Sequence, residues 1–363
     1  MVTIECESIS DLFQIVLNFM EIEIVKNGGA EIEDYILRSR NSLVYTNPAF
    51  INLITSHLNA TSWWMIARDP KTIRGVLPFV ESQTGEFGTV LNSLPFYGSN
   101  GGVVQEFSDN KIKKILIKDF FVYANEQKAC SATIVTNPLL EDNHIYADIL
   151  KDFILDERIG QITHLPQNPE DLIRLFDEPR PRNIRRAIKE RVQVTRGNQR
   201  DSIEFLYNLH VENMKAIGGL SKSWDFFEKL LLDVPTELWS VYIGTIDGKP
   251  VAALLLFYFN RTVEYFTPVI HSEHRNTQAL ALIIYEAMKD AVKIKKCNNW
   301  NWGGTWLNQT GVYDFKKRWG TKDYPYFYYT KLFRKEVLLS NKDALLENYP
   351  GFFVLPFKEL NNN

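Results

Sequence analysis

The stretch NWNWGGTWLNQTGVYDFKKRWGT, residues 299–321, predicts a short strand, a loop and a helix in direct succession. Trp300 and Trp302 alternate as residues on a strand do, and Gly303-Gly304 allows another chain or a ligand to approach the backbone closely. The helix is predicted over Tyr313–Trp319. The tryptophans either stack on a ligand or pack two layers of the fold together, and the sequence leaves both interpretations open.

Upstream of this stretch, the second half of the chain alternates helices and strands. Thr277 precedes a long apolar helix whose cationic end suits the negative helix terminus. Asp247-Gly248 is a strong signal for a hairpin turn. The predicted elements are a helix over Ser202–Lys215, a hairpin of Trp239–Thr245 with Val251–Tyr258, a strand over Val263–Ile270, a helix over Gln278–Lys295 and a last strand over Tyr324–Phe333.

The first half of the chain has a similar order of elements. Trp63–Ala67 and Ile73–Val80 flank a charged turn and predict a hairpin. The other predicted elements are a helix over Ser10–Lys26 ended by Gly28-Gly29, a Gly-rich connection over residues 95–104, a helix over Lys111–Asn125, a strand over Ala132–Thr136, a helix near Ile145–Leu155 and a strand over Ile162–Leu165. The shared order indicates duplication, although alternating α/β order is also common in unrelated folds.

A domain boundary is predicted where Pro179 and Pro181 interrupt the chain before a cationic helix. We expect one domain over residues 1–177 and a second over 178–363, the latter beginning with a linker helix and first strand over 178–200. A length of 363 residues suits two hydrophobic cores of ordinary size.

Composition excludes several classes of protein. A formal charge of −3 and a pI near 6.1 give no general attraction to polyanions, which weighs against nucleic acid as the main partner. The longest apolar runs are far shorter than the ~20 residues of a membrane-spanning helix, and the N-terminus lacks a secretory signal, so we expect a cytoplasmic protein. The three scattered cysteines fit neither a disulfide framework nor a zinc cluster, and we expect no metal site.

Several segments together resemble the tandem-GNAT family of acyltransferases, which includes the FemA and FemX transferases. The segments are Arg182–Lys189 with Val192–Val194, Asn301–Gly304, Phe315–Gly320, and in the first half Tyr97-Gly98 to Gly102. The resemblance implies an α/β (α+β) fold with two GNAT-like domains in tandem, each a mixed sheet flanked by helices. It also implies transfer of an acyl group to an amine, with acyl-CoA or aminoacyl-tRNA as the donor.

The resemblance places the donor site along the strand Val263–Ile270. In this fold that strand parts from its successor, so that backbone N–H groups face the thioester carbonyl and stabilise the oxyanion. The family's donor loop resembles (Arg/Gln)-x-x-Gly-x-(Gly/Ala), whereas this chain has Gln278 and Leu280 where small residues are expected. The predicted donor-binding residues are Thr267, Val269, Ile270, Arg275, Asn276 and Thr277.

Candidates for proton transfer follow from the same reaction. The attacking amine must lose a proton, which Glu264 or His271 could accept, although a glutamate on a strand is more often a solvated surface residue. Many members protonate the leaving thiolate with a tyrosine whose position here holds Lys316, and Tyr313 is the nearest substitute. The predicted acceptor-binding residues are Trp302, Gly303, Gly304, Trp306, Lys316, Arg182 and Arg185.

The leading functional hypothesis is an N-acyltransferase that uses acyl-CoA as a co-substrate and binds no permanent cofactor. Its acceptor is expected to be a UDP- or dTDP-linked amino sugar for surface polysaccharide synthesis. One alternative is a FemX-like enzyme that moves an amino acid from tRNA to a peptidoglycan precursor, and another is a non-catalytic binding module with the same fold. No nucleophile elbow, P-loop, dinucleotide fingerprint or HExxH helix supports another enzyme class.

Overall fold

Within residues 20–95 and 101–360, the part of the chain described by this computed structural model, one mixed sheet of twelve strands runs through both halves. Its strands are β1 (Glu21–Lys26), β2 (Thr61–Arg68), β3 (Ile73–Glu81), β4 (Val90–Asn92), β5 (Ser131–Val135), β6 (Ile154–His164), β7 (Gln193–Gly197), β8 (Trp239–Ile246), β9 (Lys249–Phe259), β10 (Thr262–Ile270), β11 (Asn299–Thr305) and β12 (Thr321–Leu332).

Helices flank this sheet, and short 3-10 turns such as Ser272–Thr277 join several of the elements. The helices are α1 (Ala30–Arg38), α2 (Pro48–Leu58), α3 (Asn110–Glu126), α4 (Asn143–Ile149), α5 (Arg180–Lys189), α6 (Arg200–Ala216), α7 (Trp224–Asp233), α8 (Ala279–Lys293), α9 (Thr310–Lys317) and α10 (Lys342–Asn348). Across the described residues, no helix combines the length and apolar character that crossing a bilayer requires.

The strand order reads the same from both edges when β1–β6 are matched one to one with β7–β12. Across the sheet it is β1-β2-β3-β4-β5-β12-β6-β11-β10-β9-β8-β7. Strand directions match too, because β4–β5 and β10–β11 are the parallel pairs and the other neighbours are antiparallel. This correspondence supports the duplication that the element order indicates.

The two halves exchange their last strands. β12, from the second half, pairs with β5, and β6, from the first half, pairs with β11. β6 and β12 then pair with each other over Ile154–Thr163 and Thr321–Thr330. The sheet therefore continues across the predicted boundary at residues 177 and 178, and the division into two domains stays a prediction.

Strand β9 shows how the sequence builds the core on both sides of the sheet. Its residues from Val251 to Phe259 are all buried, as expected for a central strand covered on both faces. Because side chains alternate along a strand, Leu255 and Phe257 enter the core beneath α6 and α7, while Leu254 and Leu256 enter the core beneath α8.

Most elements predicted from periodicity are confirmed. The hairpins β2–β3 and β8–β9, the long helices α3 and α8, and the strands β10, β11 and β12 lie where the sequence pattern places them, with ends shifted by a few residues. Helix α8 is preceded by Gln278 in the left-handed region (φ 61°), and Thr277 accepts a hydrogen bond from Ala279 N–H at 3.3 Å.

Two helix predictions in the first half are wrong in part. Glu21–Lys26 forms strand β1 against β2, because Ile22 and Ile24 alternate with glutamates at the period of a strand. The earlier residues of that predicted helix, and the Tyr97-Gly98 portion of the Gly-rich connection, lie outside the described residues. The helix expected near Ile145–Leu155 ends at Ile149, and β6 begins at Ile154.

Candidate active site

A slot opens between strands β10 and β11. The two strands pair in parallel only over Thr262–Glu264 and Asn299–Asn301. Directly after these residues, the pairing of β10 with β9 is irregular between Tyr265 and Thr267, and the pairing of β11 with β6 is irregular between Asn301 and Gly304. Such irregularities bend strands, so each strand leaves the other at the same level of the sheet. The parting expected from the sequence is present here.

Glu264 lies at the closed end of this slot. Its side chain is 1% exposed, and burial raises the pKa of Glu264 to about 8, although hydrogen bonds with Tyr45 and Asn301 act in the opposite direction. Tyr45 donates its O–H to Oε2 at 3.1 Å, while Oε1 has no hydrogen-bond partner among the described residues. A carboxyl group with this pKa can exchange a proton near neutral pH.

The backbone N–H groups expected to bind the oxyanion are largely engaged. His271 N–H donates to Val251 O at 3.0 Å, and the alternation of an antiparallel ladder directs the N–H groups of Val269 and Thr267 toward β9 as well. On the other edge of β10, Pro268 has no N–H and Ile270 N–H donates to Asn213 Oδ1 at 3.1 Å. The hydroxyl of Thr267 is buried without a hydrogen-bond partner in the described part of the chain, and it remains available as a donor.

Aromatic side chains fill one face of the slot. Trp302 is 2% exposed, and its ring centroid lies 4.8 Å from that of Tyr265 and 5.6 Å from that of Trp319. Trp302 Nε1–H donates to Thr163 Oγ1 at 2.9 Å. Trp302 and Trp300 thus pack in the core, whereas Trp306 is 46% exposed and its ring stacks on the Arg158 guanidinium at 3.4 Å.

Lys316, on α9, bonds the last three residues of β11. Its ammonium donates to Gly303 O at 3.3 Å, Gly304 O at 3.0 Å and Thr305 Oγ1 at 2.9 Å, so all three of its protons have acceptors. Burial lowers the pKa of Lys316 to about 8. A Cβ at Gly304 would lie 1.9 Å from the Tyr326 hydroxyl, which explains why this position is glycine.

The remaining predicted site residues lie further from the closed end. His271 follows β10, with Nδ1 3.7 Å from a Glu212 oxygen, and Arg275, Asn276 and Thr277 lie in the turn before α8. Tyr313 donates its O–H to Asp323 at 2.7 Å, a hydrogen bond that raises the pKa of Tyr313 to about 12. Arg182 and Arg185 are exposed on α5.

The structure adds two site residues that the sequence pattern does not indicate, and it buries Arg180 of the predicted cationic cluster. Tyr45 comes from the first half, and Asn213 comes from α6. Arg180 is 9% exposed and lies over the rings of Phe315 (4.3 Å) and Trp319 (5.3 Å), and its burial lowers the pKa of Arg180 to about 10.

Part of the chain matches a known family of domains. Residues 180–317 match the family of acetyltransferase (GNAT) domains. The matched range contains β10, β11 and the helices α8 and α9. The chain is therefore an acyltransferase, and aminoacyl groups count among the acyl groups that such an enzyme could move. A search of curated proteins found no match by sequence.

Solved structures show the same fold over most of the chain. FemX aligns with a TM-score of 0.69 at 13% identity, over 84% of this chain and 96% of FemX. A conserved protein of unknown function from Bacteroides thetaiotaomicron aligns with a TM-score of 0.57 at 15% identity, over 83% and 95%. L-PGS from Bacillus licheniformis aligns with a TM-score of 0.53 at 13% identity, over 90% and 97%. The tandem GNAT-like architecture is consistent with these matches.

Proposed function

We propose that this protein transfers an acyl group from acyl-CoA to the amino group of a nucleotide-linked amino sugar. The observation that carries the proposal is the slot between β10 and β11, which has a buried carboxyl group with a raised pKa at its closed end. GNAT domains use acyl-CoA as co-substrate, and the matched family covers the strands that form this slot. An amine must attack in its neutral form, and in this proposal Glu264 takes the proton that it releases.

The reaction can be written with the residues that line the slot. The amine nitrogen attacks the thioester carbonyl, and the Thr267 hydroxyl donates a hydrogen bond to the oxyanion that develops. The carbon–sulfur bond breaks, Glu264 or a water next to it accepts the amine proton, and the thiolate takes a proton from solvent or from Tyr313. Tyr313 would first have to release its hydrogen bond to Asp323.

The acceptor class rests on three of the predicted acceptor-binding residues. Trp306 presents an exposed aromatic face, and Arg182 and Arg185 present exposed guanidinium groups on α5. Aromatic faces stack on sugars and bases, and guanidinium groups bind phosphates in a bidentate way. A sugar linked to a nucleoside diphosphate contains a sugar, a base and phosphates, which are the groups that these side chains bind.

The test is the release of free thiol from acetyl-CoA and longer acyl-CoA esters in the presence of aminated UDP- and dTDP-sugars. Wild-type protein should release thiol with at least one acceptor, and Glu264→Gln should reduce the rate by about 10²–10⁴-fold. Glu126→Gln, the same change at an exposed residue at the end of α3, serves as the matched control. Absence of thiol release with every acceptor would refute the proposal.

A second candidate is transfer of an amino acid from tRNA to a peptidoglycan precursor, as expected from the likeness to FemX. Two N–H groups at the start of α8 are already bonded, that of Gln278 to Arg275 O and that of Ala279 to Thr277 Oγ1, which leaves fewer donors for a CoA pyrophosphate. This candidate predicts retardation of charged tRNA in a gel at low salt that disappears as salt rises. No retardation at low salt would exclude it.

A further inference from the structure

Two adjoining cavities lie beside the end of α1. The larger is lined by residues of the first half, and the smaller also reaches Asn260 and Arg261 in the turn before β10. Their volumes are about 560 and 450 Å³, and both are lined by Arg38, Arg40 and Glu106. The second cavity is also lined by Arg261, which directly precedes β10. Cavities of this size are typical of sites for small ligands.

The charges lining these cavities are unbalanced. Arg38 Nε lies 3.0 Å from Glu106 Oε2, whereas Arg40 and Arg261 have no ion pair among residues 20–95 and 101–360. Lys113, at the inner wall of the larger cavity, is buried and already neutralised by Asp142. The surplus of two guanidinium groups over carboxylates favours a ligand with negative charge.

The loop that carries the arginines is held rigidly. Ser39 and Ser42 donate their hydroxyls to backbone carbonyls of α1, and both residues are buried. From the other half, Asn260 Nδ2–H donates to Ser39 O at 3.1 Å and to Ser42 Oγ at 2.6 Å. The backbone at Arg38 and Arg40 is therefore fixed before any ligand arrives, which lowers the backbone entropy lost on binding.

The rim supplies an aromatic face and polar groups. Phe107 is 76% exposed and lines the larger cavity beside Arg38 and Arg40. The side chains of Asn41 and Gln105 line the same cavity. An aromatic face, free guanidinium groups and amides together match a base, a diphosphate and a ribose.

We propose that the two adjoining cavities together bind one nucleoside diphosphate group. Arg40 and Arg261 contact the phosphates, and Phe107 stacks on the base. Two substrates of the proposed reaction carry such a group: the nucleotide-linked acceptor and CoA, which contains an adenosine diphosphate unit. Arg261 precedes Glu264 by three residues of extended strand, roughly 10 Å, a span that favours the acceptor. Under this choice Arg40 and Arg261, and not Arg182 and Arg185, hold the phosphates of the acceptor. The choice between the two substrates rests on the proposed function, whereas the binding itself does not.

Binding can be measured directly by calorimetry with UDP, dTDP, ADP and CoA as separate probes and no second substrate present. We expect UDP or dTDP to bind to the wild-type protein, and Arg40→Gln and Arg261→Gln each to weaken binding about tenfold. Phe107→Leu should also weaken the binding of nucleotides but leave the binding of inorganic pyrophosphate unchanged. Arg174→Gln, an exposed arginine away from the cavity, is the matched control, and all four substituted residues are exposed, so folding is preserved.

The outcomes separate the possibilities. Binding of ADP and CoA, lost in the same variants, with none of UDP or dTDP, would support the site and assign it to the donor. Binding that is equally strong in the wild type, Arg40→Gln and Arg261→Gln would overturn the proposal, as would no binding by any probe. Thiol release with a small amine as acceptor reports on the slot independently, so loss of nucleotide binding alone leaves the proposed acyl transfer standing.

Discussion

Glu264 couples the pH dependence of activity to that of stability. Its pKa of about 8 in the folded chain lies above the ordinary value of 4.5, so the native state holds this proton more tightly than the unfolded chain does. Stability from this group is fully present below pH 4.5 and is lost as the pH rises through 8. Ionisation of the same group makes the base available, so activity should rise where stability falls.

The first prediction follows from this opposition. The rate of acyl transfer at low substrate should rise with pH to a plateau with a midpoint near 8. Glu264→Gln should abolish this rise. Between pH 6 and pH 9 the free energy of unfolding should fall less in the variant than in the wild type, and the difference should be on the order of a few kcal/mol. Urea unfolding at both pH values measures the difference. Equal pH dependence in variant and wild type would mean that another group titrates.

A second prediction concerns Tyr45, which acts on Glu264 from the other half of the chain. Its hydrogen bond lowers the pKa of Glu264 against the effect of burial. Tyr45→Phe should therefore move the midpoint of the pH–rate profile upward by roughly half to one pH unit, with a normal plateau. Tyr329→Phe, which removes a phenol hydrogen bond to Asn143, is the control and should leave the midpoint in place. A fall in the plateau without a shift would indicate general damage instead.

At the scale of elements, Lys316 joins helix α9 to the end of strand β11. Lys316→Met should destabilise the fold by about 1–3 kcal/mol, because two partly buried carbonyls and a buried hydroxyl lose their donor. The pKa of Lys316 in the folded chain, about 8, lies below the ordinary value of 10.5, so the native state holds this proton less tightly than the unfolded chain does. The free energy of unfolding of the wild type should therefore rise relative to that of the variant between pH 8 and pH 10.5.

Urea denaturation across this pH range tests the prediction for Lys316. Lys317→Met changes the next residue, whose side chain is 45% exposed, and should alter stability by less than about 0.5 kcal/mol. Similar losses in the two variants would show that the buried hydrogen bonds of Lys316 contribute little.

Local patterns explain which elements could be predicted from the sequence. The hairpins and α3 and α8 have strong turn signals or long periodic runs, so neighbouring residues alone specify them. Strand β1 has only six residues and follows a helix-like run, and its identity depends on pairing with β2, about forty residues later. Helix α7 has no turn signal of its own, and its apolar face packs against α2 and Phe266.

The sequence predicts the position of the slot but not the distant residues that complete it. The parting of β10 and β11 follows from the order of elements and was located correctly from Thr267 and Trp302. Tyr45, which bonds Glu264, is 219 residues away in sequence, and Asn213, which occupies the N–H of Ile270, is 57 residues away. No local pattern reports such pairs, because tertiary packing alone brings them together.

For the whole molecule, the exchange of β6 and β12 predicts that the two halves depend on each other. Fragments 1–177 and 178–363, expressed separately, should each lack a cooperative thermal transition, since each loses the strand that covers its edge. Mixing the two fragments should restore the transition and the thiol-release activity. Circular dichroism measures the first effect. Cooperative unfolding of either fragment alone would show that the boundary at residue 177 separates autonomous domains.

The strand exchange also sets the order of events while the ribosome makes this chain. β5 is complete at Val135, but the strand that covers its edge starts at Thr321. At 5–20 residues per second, translation leaves that edge bare for about 10–40 s. Throughout this interval the nascent chain offers a template for pairing with other nascent chains, so its yield in the cell should depend on chaperones that act before release.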